Sequence, residues 1–331
     1  MESILLKQYK TQKGEGLDLL VYYQVVGLPI GEAPIILVNH PLTANATLIG
    51  DGGWWNAIVG ENNVLDTTRY TIISINIPGN GSGEGNLLEN HTALTIYDVA
   101  KVFLLTLDNL GVKKLHTIIG ASIGGAISWQ MATLAPTLAE QVIPIATDYK
   151  TTDWLQAICT IQASILKNAV APLEQARQHA MLCYRTPTSL NRKFKLQKSD
   201  GEFNVNAWLT YHGNALAKRY ALQAYKTLNY LLSSIDIAQA DGSFLKHISK
   251  IESTIHIITI PTDGLFLAEE NWDTYVQLKP YKENLFIHEI KSIHGHDAFL
   301  IEQQQLANIL NSIFKKSIIN ENNKYSSVRH R

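Results

Sequence analysis

The sequence predicts an α/β domain: a mostly parallel central sheet with helices on both faces and a helical segment inserted late in the chain. Three observations predict it. Short, largely apolar runs such as Ile35-Ile36-Leu37-Val38 and Val142-Ile143-Pro144-Ile145-Ala146 suit strands buried on both faces. Segments of helical period separate such runs, as at 95–110 and 124–135, and strand-helix-strand order implies parallel pairing with right-handed crossovers. Between 151 and 234 the strand pattern gives way to apolar residues at helical spacing, and it resumes at 255. The expected division is therefore 1–150 for the first part of the core, 151–235 for the insertion, 236–315 for the rest of the core and 316–331 for a polar tail.

A content of 46% hydrophobic and 17% charged residues over 331 positions is that of a globular chain able to bury a sizeable core. Lys and Arg number 28 against 29 Asp and Glu, a formal net charge of -1. Nucleic acid and anionic membranes, which select concentrated positive charge, are not expected partners. The opening Met1-Glu2-Ser3-Ile4-Leu5-Leu6-Lys7 lacks a basic stretch followed by a long apolar one, and no apolar run approaches the roughly 20 residues of a membrane span. A cytoplasmic location is expected. Cys159 and Cys183 lie in apolar helical surroundings and read as free thiols, not as a disulfide or a metal site.

Taken in order, 17–26 reads as a strand ended by Gly27, and the strand 35–38 runs into Asn39-His40-Pro41-Leu42-Thr43-Ala44-Asn45. His40, before a proline in this loop, reads as a structural hydrogen-bonding group. The strand 69–77 closes at Pro78. Gly79-Asn80-Gly81-Ser82-Gly83-Glu84-Gly85 lacks the Gly-Lys-Ser/Thr ending of a phosphate cradle and reads as a mobile rim of an active site. Helix 95–110 carries Ile96, Val99, Val102, Phe103 and Leu107 on one face and stops at Gly111.

The strand 113–119 then delivers Gly120-Ala121-Ser122-Ile123-Gly124-Gly125, with helix 124–135 behind it. A Gly-x-Ser-x-Gly turn between strand and helix is the nucleophile elbow of α/β-hydrolases, which makes Ser122 the candidate nucleophile. The oxyanion hole of that fold takes one backbone N–H from the residue after the serine, Ile123, and one from the loop after the strand 35–38, assigned here to Leu42. After the strand 141–146, three apolar sets predict several helices: Leu155, Ile158, Ile161 and Ile165; Ala176, Ala180 and Leu182; Ala217, Ala221, Ala224, Leu228 and Leu231. An insertion at this point forms a lid over the serine. The sheet resumes at 255–260 with Asp263 directly after it, followed by helix 269–278, strand 285–290, the stretch His294-Gly295-His296-Asp297-Ala298-Phe299-Leu300 and a last helix 299–314.

Ser122, Asp263 and His296 stand in the chain order of α/β-hydrolases, each past the C-terminal end of an expected strand. In that arrangement His296 takes the serine proton during attack on an acyl carbon, and Asp263 fixes and charges the imidazole. His294 is the rival base, and Asp297, Glu269 and Glu270 are rival acids that do not directly follow the strand. A water-using hydrolase shares the acyl-serine with a transferase, and a non-catalytic binding protein on this scaffold is a third reading.

Further residues carry a family resemblance. Pro41-Leu42-Thr43, Gly53-Trp54-Trp55, Leu65-Asp66-Thr67 with Arg69-Tyr70, the serine elbow, Ala176-Arg177, Tyr184-Arg185, Asp263-Gly264-Leu265-Phe266 and Gly295-His296-Asp297-Ala298-Phe299-Leu300 together resemble homoserine O-acetyltransferases. The resemblance spans roughly 35 to 305. It implies acetyl transfer from acetyl-CoA, as co-substrate, to the hydroxyl of L-homoserine by a ping-pong route, in a homodimer with no permanently bound cofactor and no metal, serving methionine biosynthesis. It assigns Ser122, Asp263 and His296 as the triad, Arg177 as the clamp on the amino-acid carboxylate and Asp297 as partner of its amino group. The segment from Ser122 to Arg177 is shorter than in typical members, and where many carry Arg-Phe-Asp-Ala-Asn-Ser-Tyr this chain has Arg219-Tyr220-Ala221-Leu222-Gln223-Ala224-Tyr225. These departures leave succinyl transfer, serine as acceptor and hydrolysis as alternatives.

Overall fold

A computed structural model describes residues 1–237 and 244–314. Its central sheet has eight strands: β1 (Glu2–Lys10), β2 (Gly16–Gly27), β3 (Ile35–Asn39), β4 (Thr71–Ile75), β5 (Leu115–Ala121), β6 (Ala139–Ile145), β7 (Thr254–Thr259) and β8 (Leu285–Glu289), in the order β1-β2-β4-β3-β5-β6-β7-β8. β1 pairs antiparallel with β2 and β2 antiparallel with β4, whereas every later pairing is parallel. The inner strands β4 and β5 are buried at every residue, as their unbroken apolar runs require. β1 has no counterpart in the expected elements. It is an edge strand with most side chains exposed, so it carries little of the hydrophobic alternation by which a strand is read.

Successive residues of each inner strand feed opposite faces. Leu37, Ile73 and Ile118 join a core with Val99, Phe103 and Trp129 on one side. Ile36, Ile72 and Ile119 join Trp55, Ile58, Leu310 and Phe314 on the other. Helix α1 (Ile96–Asn109) starts in a capping box, the Thr95 N–H donating to Asp98 Oδ2 at 2.9 Å and the Asp98 N–H to Thr95 Oγ1 at 3.4 Å. Helix α2 (Ile123–Leu134) follows β5 and is packed against α1.

Among the described residues the helices α3 (Asp153–Asn168), α4 (Pro172–Tyr184), α5 (Pro187–Phe194), α6 (Asn204–Ala217) and α7 (Leu222–Ser233) follow β6, ahead of a further short helix that precedes β7. The apolar set Ala217, Ala221, Ala224, Leu228 and Leu231 falls on two of these helices, α6 ending at Ala217 and α7 starting at Leu222. No Gly or Pro separates them. Arg219 and Tyr220 instead donate to backbone carbonyls of another segment, and these tertiary bonds override helix propensity. Helices α8 (Phe244–Ile248), α9 (Ala268–Leu278) and α10 (Ala298–Ile301) complete the labelled set. The expected helix 299–314 is broken at Glu302, whose carboxylate accepts from Ser292 Oγ at 2.8 Å, and helix continues over 303–314. The expected polar tail 316–331 lies outside the described residues.

Candidate active site

The serine elbow is built by close approach. Ser122 lies between β5 and α2 at φ 57° and ψ -127°, a conformation that costs a side-chain-bearing residue about 1–3 kcal/mol and persists only where packing imposes it. Its N–H donates to Ile145 O on the neighbouring strand at 2.8 Å. A Cβ at Gly120 would lie 2.2 Å from Gly124 O, and one at Gly124 would lie 2.2 Å from Asn39 O and 2.7 Å from His40 O. Glycine at these two positions is therefore a steric requirement of drawing the start of α2 onto the end of β3.

Asp263 follows β7, and its Oδ1 accepts the N–H groups of Leu265 at 2.7 Å and Phe266 at 3.0 Å. That aims Oδ2 at His296 Nδ1, 2.7 Å away, while His296 Nε2 sits 3.0 Å from Ser122 Oγ. All three residues are buried, between 4% and 5% exposed, so the chain of hydrogen bonds runs through a medium that screens it little. Burial is the largest influence on the imidazole and lowers its pKa. The Asp263 charge and hydrogen bond, with Asp297 adding to them, outweigh it and leave the pKa above the ordinary histidine value of 6.5. The rings of Tyr184, Phe266 and Phe299 surround the imidazole at 5.6, 5.8 and 5.6 Å between centroids.

The rival groups lie elsewhere. His294 Nδ1 meets Ser189 Oγ at 2.8 Å and Arg185 Nη2 at 3.1 Å, and Glu269 and Glu270 belong to the first turn of α9. Asp297 is next to the imidazole in sequence and has its Oδ2 4.0 Å from Arg185 Nη1; burial raises its pKa, opposed by the His296, Arg177 and Arg185 charges. Arg177, on α4, has its guanidinium 5.7 Å from the centre of the Tyr184 ring. Among the described residues it makes no hydrogen bond or ion pair. Of the groups gathered here, Ser189 had no signal in the sequence, whereas His294 was the rival base and Tyr184-Arg185 stood among the residues of the resemblance; Tyr184 lies seven residues after Arg177 on one helix, a spacing that returns to the same face.

Among the described residues neither Leu42 N, in the loop after β3, nor Ile123 N, at the start of α2, has a hydrogen-bond partner. His40 has the structural role read for it. Burial lowers its pKa to about 4, so the ring stays neutral, with Nδ1 donating to Pro41 O at 2.9 Å and Nε2 accepting from Ile77 N at 3.1 Å. The glycine-rich loop has an exposed tip and is closed at its base by side-chain hydrogen bonds. Asn86 accepts from Gly79 N at 2.8 Å and donates to Asn80 Oδ1 at 2.8 Å, and both asparagines are buried. Cys159 and Cys183 are free thiols, the first buried and the second partly exposed. No described helix is long and apolar enough to cross a membrane.

The sheet order and the elbow define a class, and a family model described as alpha/beta hydrolase fold matches residues 34–294. Solved structures share the architecture. Homoserine O-acetyltransferase from Bacillus anthracis superimposes with a TM-score of 0.83 at 17% identity, covering 94% of this chain and 96% of that one. Esterase E22 does so with a TM-score of 0.82 at 16% identity, over 94% and 98%. Sequence similarity narrows the class, since the homoserine O-acetyltransferase of Nautilia profundicola is 31% identical over an alignment covering 86% of this chain and 89% of that protein. The chain belongs to the homoserine O-acetyltransferase family of the α/β-hydrolase fold.

Proposed function

We propose that the protein is an O-acyltransferase that moves an acetyl group from acetyl-CoA to the hydroxyl of L-homoserine through an acyl-Ser122 intermediate, in cytoplasmic methionine biosynthesis. The observation that carries this reading is the continuous hydrogen-bonded line from Asp263 through His296 to Ser122 at the elbow, in a chain of this family. The family resemblance extends it to a homodimer.

In the first half-reaction His296 Nε2 accepts the Ser122 proton as Oγ bonds to the thioester carbon. The carbonyl oxygen takes up the charge and is held by the N–H groups of Leu42 and Ile123, with the amino-terminal end of α2 adding its dipole. Collapse breaks the carbon–sulfur bond, and the departing thiolate receives the proton from His296. In the second half the homoserine hydroxyl gives its proton to His296 and attacks the acyl carbon, and Ser122 Oγ leaves with that proton. Arg177, with no hydrogen-bond or ion-pair partner among the described residues, offers a two-pronged donor to the amino-acid carboxylate. Asp297 receives the ammonium, whose charge favours the ionised carboxylate. Helices α3 to α7 act as the lid.

Transfer and hydrolysis share everything up to the acyl-serine, so the test is release of CoA thiol from acetyl-CoA with and without L-homoserine. The expected result is homoserine-dependent release that vanishes in Ser122→Ala. Release at the same rate without acceptor assigns a hydrolase instead, and faster release from succinyl-CoA or with serine reassigns the substrate. No release from any acyl donor or ester assigns a binding protein.

A further inference from the structure

The corner between α6 and α7 reaches across to the loop that follows β3. Tyr220 Oη donates to Leu42 O at 3.2 Å, and Arg219 Nη1 donates to Thr43 O at 2.9 Å. On the preceding peptide, Pro41 O accepts from His40 Nδ1 at 2.9 Å, and further along Asn45 O accepts from Trp54 Nε1 at 3.0 Å. Each of these carbonyls is therefore held by a side chain, whereas Leu42 N is left without a partner among the described residues. The Pro41 carbonyl and the Leu42 N–H belong to one peptide group. Because that group is planar and trans, a donor fixed on the carbonyl also fixes the direction of the N–H. The next peptide, on the other side of the Leu42 Cα, is fixed through Leu42 O by Tyr220. His40, together with the Ala44 N–H that donates to Pro41 O at 3.1 Å, holds the plane that carries the Leu42 N–H, and Tyr220 holds the plane on the other side of the Leu42 Cα.

We propose that Tyr220, with Arg219 beside it, is a positioning residue for the Leu42 N–H: the inserted helices complete the hold on one oxyanion donor by gripping the two carbonyls that follow it, so that the Leu42 residue is fixed from both sides. This rests on the reading of Ser122 as the nucleophile. The hydroxyl that makes the grip is not general to the family by the resemblance noted above, since many members carry Phe where this chain has Tyr220. The ring packs edge to face on Tyr225, 6.1 Å between centroids, a contact that Phe would keep. Tyr220→Phe accordingly removes the donor and leaves the shape.

The test uses p-nitrophenyl acetate, which acylates a nucleophilic serine without any need for homoserine, together with phenylboronic acid, which forms a tetrahedral adduct on such a serine. Loss of a whole oxyanion donor slows acyl transfer about 100-fold or more, so a donor left in place but loosened is expected to slow the nitrophenolate burst of Tyr220→Phe about 10-fold. Affinity for phenylboronic acid should fall by a similar factor, with the KM for homoserine and the melting temperature unchanged. A burst at the wild-type rate, or a slower burst with undiminished phenylboronic acid affinity, overturns the proposal. Absence of a burst in the wild-type protein removes the nucleophile assignment itself, a different failure.

Discussion

At the scale of single residues, the imidazole of His296 is where opposing effects are most finely balanced. Burial disfavours its charged form, and the Asp263 carboxylate, 2.7 Å away, restores and exceeds what burial removes. Only the neutral ring can accept the serine proton, so acylation should rise with pH through an apparent pKa above 6.5. Asp263→Asn removes the charge that raises that pKa. We expect kcat/KM to fall by about 10³ to 10⁴ while the acid limb of the pH profile moves to lower pH, a pairing that loss of fold alone does not produce. A limb that stays in place would show that Asp263 does not set the imidazole's charge. Ser122 and Asp263 were legible in the sequence because each follows a strand with a largely apolar run, whereas His296 was set apart from His294 by the family motif around it. The grip of Tyr220 on Leu42 O was not legible, since it joins residues 178 positions apart through a corner that the apolar spacing of Ala217, Ala221 and Ala224 conceals.

At the scale of elements, the site depends on how strand ends are tied to the helices beyond them. Asp148, three residues past the end of β6, is buried and accepts from Tyr149 N at 2.7 Å, from Thr274 Oγ1 at 3.0 Å and from Asn271 Nδ2 at 3.2 Å, the last two on α9. It anchors the helix that begins five residues after Asp263. Burial pushes its pKa up to about 7 from 3.8, against those hydrogen bonds. The sign follows from linkage: a carboxyl whose pKa is higher in the folded state favours the fold below pH 3.8, and that contribution is lost as pH rises towards 7. Asp148→Asn has no such titration. Urea denaturation should therefore show the variant gaining on wild type between pH 4 and pH 8, by at least about 1 kcal/mol, and a constant difference across that range would refute the assignment. The inner strands and α1 were readable from pattern because burial on both faces or on one stripe imposes a period. β1 was not, because an edge strand in contact with water is free of that constraint.

At the scale of the whole molecule, one sheet with a core on each face brings the ends of β3, β5 and β6 side by side, with Asn39 opposite Gly120 and Ala121 opposite Ile145. The serine turn, the loop bearing Leu42 and the loops bearing Asp263 and His296 rise from that framework, and the helices between β6 and β7 reach back to it through Arg219 and Tyr220. The same scaffold underlies an esterase at a TM-score of 0.82, so the fold by itself does not choose between water and an amino-acid hydroxyl as acceptor. What chooses is whether an acyl group placed on the serine waits for the right acceptor. The most direct measurement is mass spectrometry of the protein after exposure to acetyl-CoA alone and then to L-homoserine. The account predicts one acetyl group on the peptide that contains Ser122, stable until homoserine removes it as O-acetylhomoserine. An acetyl group on another residue, or one lost to water at the rate at which homoserine removes it, would contradict it.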